Sequence, residues 1–128
     1  MSAVPAAAAP TAAGRYVDTR VNACAGSSGC RPGIVVHHWH KRGSASRGVG
    51  WVYASRDGRG DGIARWLVKK PGDAWKTGGK WKRAGRVGGD FVETSWGRDG
   101  HTGPIYPRGT RVCVQFQGLA AKACVTLR

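Results

Sequence analysis

From Gly33 to the end of the chain, apolar and polar positions change places at the two-residue period of a pleated strand, not at the helical period. Ile34-Val35-Val36-His37-His38-Trp39-His40 is a run rich in strand formers. Val49, Trp51 and Tyr53 share one face of the next segment, and Asp57-Gly58 and Asp61-Gly62 follow as turn signals. Ile63 to Lys69 reads as another strand, stopped by Pro71-Gly72. Trp75 to Lys82 is predicted to be a hairpin turning at Gly78-Gly79. Phe91 to Trp96 is a further strand, ended by Asp99-Gly100. No internal repeat is present. The pattern predicts an all-β domain over residues 33–128, a compact sandwich or barrel of about seven short antiparallel strands.

The last two segments fix a register. Val112, Val114 and Phe116 alternate with Cys113, Gln115 and Gln117; Ala121, Ala123, Val125 and Leu127 alternate with Lys122, Cys124 and Thr126. Placing Cys113 opposite Cys124 sets Val112 against Val125 and Val114 against Ala123. It leaves Gly118-Leu119 as a two-residue turn with glycine first, of type II′. A Cys113–Cys124 disulfide follows and, by subtraction, Cys24–Cys30; the other two pairings of four cysteines stay open.

Residues 1–32 read differently. Residues 1–14 are uncharged and rich in Ala and Pro, which predicts an extended arm unable to bury a core. Tyr16, Val17 and Val21 alternate only loosely with polar residues. Cys24-Ala-Gly-Ser-Ser-Gly-Cys30 has the look of a local disulfide loop, worth about 2 kcal/mol by loop entropy. An extended segment of this kind binds by lying in a partner's cleft or along a sheet edge, with Arg15, Tyr16, Arg20 and Arg31 as its anchors. The ordinary alternative is a flexible terminus.

Charge and composition narrow the function. The chain has 128 residues, 21 Lys+Arg against 7 Asp+Glu, and a net charge of +14. It is too short for a large α/β enzyme with a dinucleotide site. No run approaches the length of a transmembrane helix. Scattered glycines and scarce leucine argue against a helical bundle. The even cysteine count favours an oxidising compartment, so the chain reads as a mature secreted protein with its start methionine restored. The charge suits an acidic partner, nucleic acid or an anionic surface.

Four motifs carry a functional reading beside a plainer one. On a strand His38 and His40 share a face and His37 and Trp39 take the other; without a nearby third ligand a polar strand face is preferred to a metal site, and no cofactor is expected. A small ribonuclease would need a base and an acid, here Glu93 with His38, His40 or His101, but no spacing makes them converge; Glu93 with Asp90 or Asp99 is a weak glycosidase pair. Basic and aromatic residues interleave from Arg65 and Trp66 through Lys69, Lys70, Trp75, Lys76, Lys80, Trp81, Lys82, Arg83 and Arg86, as in single-strand binding. For a domain this small, however, most of the six tryptophans are expected in the core. Arg59-Gly60-Asp61 is read as turn chemistry.

A small, basic, secreted β protein with an Ala/Pro-rich arm, the Cys24…Cys30 and Cys113…Cys124 pattern and the ending Lys122-Ala123-Cys124-Val125-Thr126-Leu127-Arg128 resembles the adaptor subunit of the umbrella toxin particles of filamentous actinobacteria. The resemblance implies a non-enzymatic adaptor. Arg15 to Arg31 would contact a trypsin-like lectin subunit, and the β domain would dock on a large, repeat-containing toxin polypeptide. A free-standing cationic antimicrobial or polyanion-binding protein is the alternative from composition, with a small ribonuclease behind it.

Overall fold

The computed structural model describes residues 15–26, 29–58 and 62–128. The Ala/Pro-rich start and the Arg59-Gly60-Asp61 tripeptide lie outside them.

Nine strands make the described body all-β: β1 (Tyr16–Cys24), β2 (Gly33–Lys41), β3 (Ser46–Asp57), β4 (Gly62–Lys69), β5 (Lys76–Arg86), β6 (Phe91–Gly97), β7 (Ile105–Pro107), β8 (Arg111–Phe116) and β9 (Ala123–Thr126). Every pairing is antiparallel, in the order β1-β2-β3-β6-β5-β4-β8-β9, with β7 added to the start of β3. β1 and β9 meet at the seam, so the sheet is nearly closed into a barrel. Closure leaves little unpaired edge. One half, sheet A, is β1-β2-β3-β6 with β7; the other, sheet B, is β5-β4-β8-β9. Long β5 joins them, pairing with β4 along most of its length and with β6 only at Gly85 and Arg86.

Sequence alternation explains the interior. Ile34, Val36, Val52 and Ala54 face inward from sheet A; Ala64, Trp66, Val68, Val112, Val114, Phe116, Ala123 and Val125 face inward from sheet B, with Leu127 closing one end. Fully burying each larger aliphatic or aromatic side chain stabilises the fold by about 1.5–3 kcal/mol. The C-terminal register is as the pattern predicts: Cys113 pairs Cys124, Val112 pairs Val125, Val114 pairs Ala123, and the disulfide is formed. The second disulfide is Cys24–Cys30, and both are compatible with an extracellular protein.

Four expectations are corrected. First, the segment carrying Arg15, Tyr16 and Arg20 is not an arm free of the body. Tyr16–Cys24 forms a nine-residue ladder with β2, from Tyr16 opposite Lys41 to Cys24 opposite Gly33. Val21 and Ala23 pack on the core, and the main-chain hydrogen bonds supply what the loose apolar pattern does not announce. Arg31 directly follows the disulfide loop, its amide donating to Ala25 O at 3.2 Å, and the loop is tied down by the Cys30 amide donating to the Asp57 carboxylate at 2.9 Å. Second, β5 runs straight through Gly78-Gly79. A Cβ at either glycine would stand 2.3 or 2.4 Å from the Trp66 ring, so these glycines are the flat seat of a core indole rather than a turn. Third, the β8–β9 connection is not a two-residue loop. Leu119 N donates to Phe116 O at 3.2 Å with Gly118 at φ 85°, placing glycine third in the turn, as type II requires. The Gln117 amide goes instead to Ile63 O on β4. Fourth, only Trp39 and Trp66 are buried; Trp51 and Trp96 are half-buried, and Trp75 and Trp81 are exposed.

Candidate functional site

The four tryptophans that are not fully buried, of which Trp96 packs against the core, share a property: each has a cation over its ring. Arg20 lies 5.4 Å from the Trp51 centroid and Arg65 4.5 Å from that of Trp81. Lys82 approaches Trp96 at 5.7 Å, while Arg111 and Lys122 approach Trp75 at 5.7 and 5.9 Å. Such pairs contribute about 0.5–1 kcal/mol at exposed sites, and they hold flat apolar surface and positive charge side by side. The interleaved basic and aromatic run is thus divided between two faces.

On the outer face of sheet A, β2 and β3 form the floor and β1 and the end of β6 the walls of a groove of about 810 Å³. Val35, Trp51 and Tyr53 are the floor; Arg20 and Asn22 rise on one side, Ser95, Arg98 and Asp99 on the other. The Trp51 indole N–H donates to Asp99 Oδ1 at 2.7 Å. Tyr53 donates its hydroxyl to Glu93. Burial and that hydrogen bond both push the Tyr53 phenol well above its ordinary value, so it stays protonated.

Beside the groove, Asp18 Oδ1 is shared by two imidazoles, His37 Nε2 at 3.0 Å and His101 Nε2 at 2.9 Å. Burial alone would raise the Asp18 carboxyl; the hydrogen bonds from His101 and His37 outweigh it and hold it below the usual carboxylate value. His101 stacks on Tyr16 with centroids 3.8 Å apart, and Trp39 meets Tyr16 edge-on at 5.7 Å. The Trp39 indole donates to Thr102 O at 3.3 Å, so the β6–β7 connection is folded down over the start of β1. Tyr16 is therefore clamped, and Arg15 beside it is held by its carbonyl accepting the Arg42 amide at 2.9 Å.

Sheet B presents a different outer face. Trp75 and Trp81 are 40% and 39% exposed. A shallow hollow of about 300 Å³ beside Trp75 is lined by Arg65, Lys76, Gln115 and Lys122 among others, with no carboxylate in its lining. Arg65 is positioned by a 3.0 Å hydrogen bond to Gln115 Oε1.

The remaining candidates are dispersed. His38 turns inward and is buried, with both ring nitrogens unpartnered. Burial, then the neighbouring Arg47, His37 and His40, push it down to about 4, so it is neutral at physiological pH. Burial and the charges of Arg47, Arg108 and Arg42 also lower His40. Glu93 is therefore not joined by the histidines an acid–base pair would draw on: it is engaged by Tyr53, and His101 by Asp18. Among the described residues no three His, Cys, Asp or Glu side chains are placed to hold a metal ion, and no helix is long and apolar enough to cross a membrane. Asp18 carries no signal in the sequence; only the β1–β2 register sets it across from Trp39 and diagonal to His37.

Fold and faces define the chain as a disulfide-stapled, cationic antiparallel β-barrel with two tryptophan-bearing outer surfaces. No protein-family model, no curated protein and no solved structure matches it.

Proposed function

We propose that this protein is a secreted, non-enzymatic adaptor that holds two macromolecules together. The observation that supports the reading is the presence of two regions rich in aromatic and basic side chains on the two halves of one body. On sheet A, the clamp of His101 and Trp39 on Tyr16 fixes the point from which the preceding residues start. On sheet B, the exposed Trp75 and Trp81 lie among Arg65, Arg111 and Lys122. Tryptophan and arginine are the residue types that dominate binding energy at protein interfaces. In the arrangement the resemblance implies, the N-terminal extension with Arg15 to Arg31 engages a trypsin-like lectin subunit and the barrel engages a large, repeat-containing toxin polypeptide of an antibacterial complex. Linking two sites through one body gives avidity only if both can be occupied at once, which separate halves permit.

The test uses the full chain as bait in culture supernatant of its source. Deleting residues 2–14 leaves all nine described strands in the chain and is expected to lose one captured protein while keeping the other. Replacing Trp75 and Trp81 by Ala is expected to do the reverse. If either change removes both partners, or neither change removes any, the adaptor reading fails.

A second reading, binding of a polyanion, is favoured by one observation: the hollow beside Trp75 offers cations and aromatic surface with no lining carboxylate to repel phosphate.

A further inference from the structure

The groove on the outer face of sheet A shares Arg20 and Asn22 with the segment that reading assigns to a partner, yet it is a built site in its own right. Gly97, at φ 89°, bends the end of β6: a Cβ there would stand 2.2 Å from Gly50 O, so no other residue fits. The bend is locked by the Arg98 amide donating to Gly50 O at 3.0 Å. It brings Arg98 and Asp99 alongside Trp51, whose indole Asp99 then fixes. From the opposite wall, Arg20 reaches the same ring.

The chemistry of the lining selects a ligand class. Trp51 offers a flat apolar face of limited extent, suited to one ring. Around it stand groups that accept hydrogen bonds (the Asp99 carboxylate) and groups that both donate and accept, Asn22, Ser95 and the Tyr53 hydroxyl. A phosphodiester offers acceptors only and gains nothing from Asp99, whereas sugar hydroxyls donate as well as accept. Two arginines, one on each wall, call for a negative group on that ligand, and guanidinium matches carboxylate in fork geometry. We infer that this groove binds a carboxylate-bearing sugar: the pyranose ring packs its C–H face on Trp51, Arg20 or Arg98 takes the carboxylate, and Asn22, Ser95, Tyr53 and Asp99 meet the hydroxyls. The inference is independent of the adaptor reading, since a barrel that binds no second protein would keep this groove.

The experiment titrates the full chain with a galacturonic acid trimer, followed by calorimetry and tryptophan fluorescence. Saturable binding is expected, and at least about tenfold weaker binding of the fully methyl-esterified trimer, which keeps the ring and loses the charge. Trp51→Ala is expected to abolish binding. Trp51→Phe, which keeps a ring over the same floor, is expected to retain part of it and serves if the alanine variant does not fold. Trp75→Ala is expected to bind as the parent does. The inference is overturned by absence of saturable binding, by equal affinity for the ester, by binding that survives in both Trp51 variants, or by a single-stranded thymidine oligonucleotide that binds through Trp51 more tightly than the trimer.

Discussion

The outer faces of the two sheets are made from the same residue classes, tryptophan and cation, and they are chemically unlike. On sheet A the charges are of both signs and each carboxylate is held by a hydrogen-bonding side chain: Asp18 by His37 and His101, Asp99 by the Trp51 indole, Glu93 by the Tyr53 hydroxyl. On sheet B the hollow beside Trp75 is lined by more cations than it has carboxylate partners: Lys76 is paired with Asp73 at 3.3 Å, while Arg111 and Lys122 lean on the half-exposed Trp75 indole. A face of the first kind recognises by position, because each group has a fixed direction and a small ligand must match it. A face of the second kind recognises by field, drawing in an acidic surface whose details matter less and whose hold weakens with salt. Net charge of +14 describes the molecule, but on the outer face of sheet B the excess is visible locally, where Arg65, Lys122 and Arg111 stand beside Trp75 and Trp81 and Asp73 offsets Lys76 alone.

The sharpest way to break this comparison is to ask whether the tryptophans of sheet B are structural. Trp66 is inside that sheet, seated on Gly78 and Gly79. Trp66→Ala is expected to cost about 4 kcal/mol in urea unfolding, as for other buried aromatics. A cost below about 1 kcal/mol would mean that the core lies elsewhere.

Acid probes the interior beneath sheet A. The folded-state value of His38 is about 4, below the 6.5 of the unfolded chain, so the unfolded state binds the extra proton first. The contribution of neutral His38 is complete above pH 6.5 and is lost as pH falls toward 4, by about 3 kcal/mol in all. His38→Leu is expected to flatten the fall in unfolding free energy between pH 6.5 and 4; an unchanged slope would show that His38 is not the titrating group.

The smallest stability effect belongs to the outside of sheet B. Trp75→Ala with Trp81→Ala is expected to change unfolding free energy by only about 0.5 kcal/mol for each residue. Any polyanion affinity of the parent, measured on an anionic matrix, should fall steeply between low and physiological salt and fall further in this double variant. Salt-independent retention would remove the field-driven account of this face.

How much of this was legible in the sequence depends on distance along the chain. The β8–β9 register was readable because its evidence is local: two cysteines and two apolar faces agree over a few residues. The all-β class was readable for the same reason, since alternation is a property of each strand. β1 was not, because Val17, Val21 and polar neighbours make a strand only when β2 supplies the ladder. The glycine pair in β5 looked like a turn because nothing nearby shows the Trp66 ring that lies on it. The tryptophans were misassigned because residue type states how much apolar surface is available to bury, and not which face of a closed sheet it will occupy. The groove on sheet A was invisible, being assembled from β1, β2, β3 and the end of β6.

Amino-acid order alone therefore determined the all-β class, the C-terminal register with Cys113 opposite Cys124, and the excess positive charge, all of which follow from short-range periodicity and composition. Which tryptophans face solvent, which carboxylates meet which imidazoles, and where positive charge is in excess were decided only by the tertiary fold. The β6–β7 connection, folded over the start of β1, brings together residues as far apart as Asp18 and His101, and no local pattern encodes that meeting.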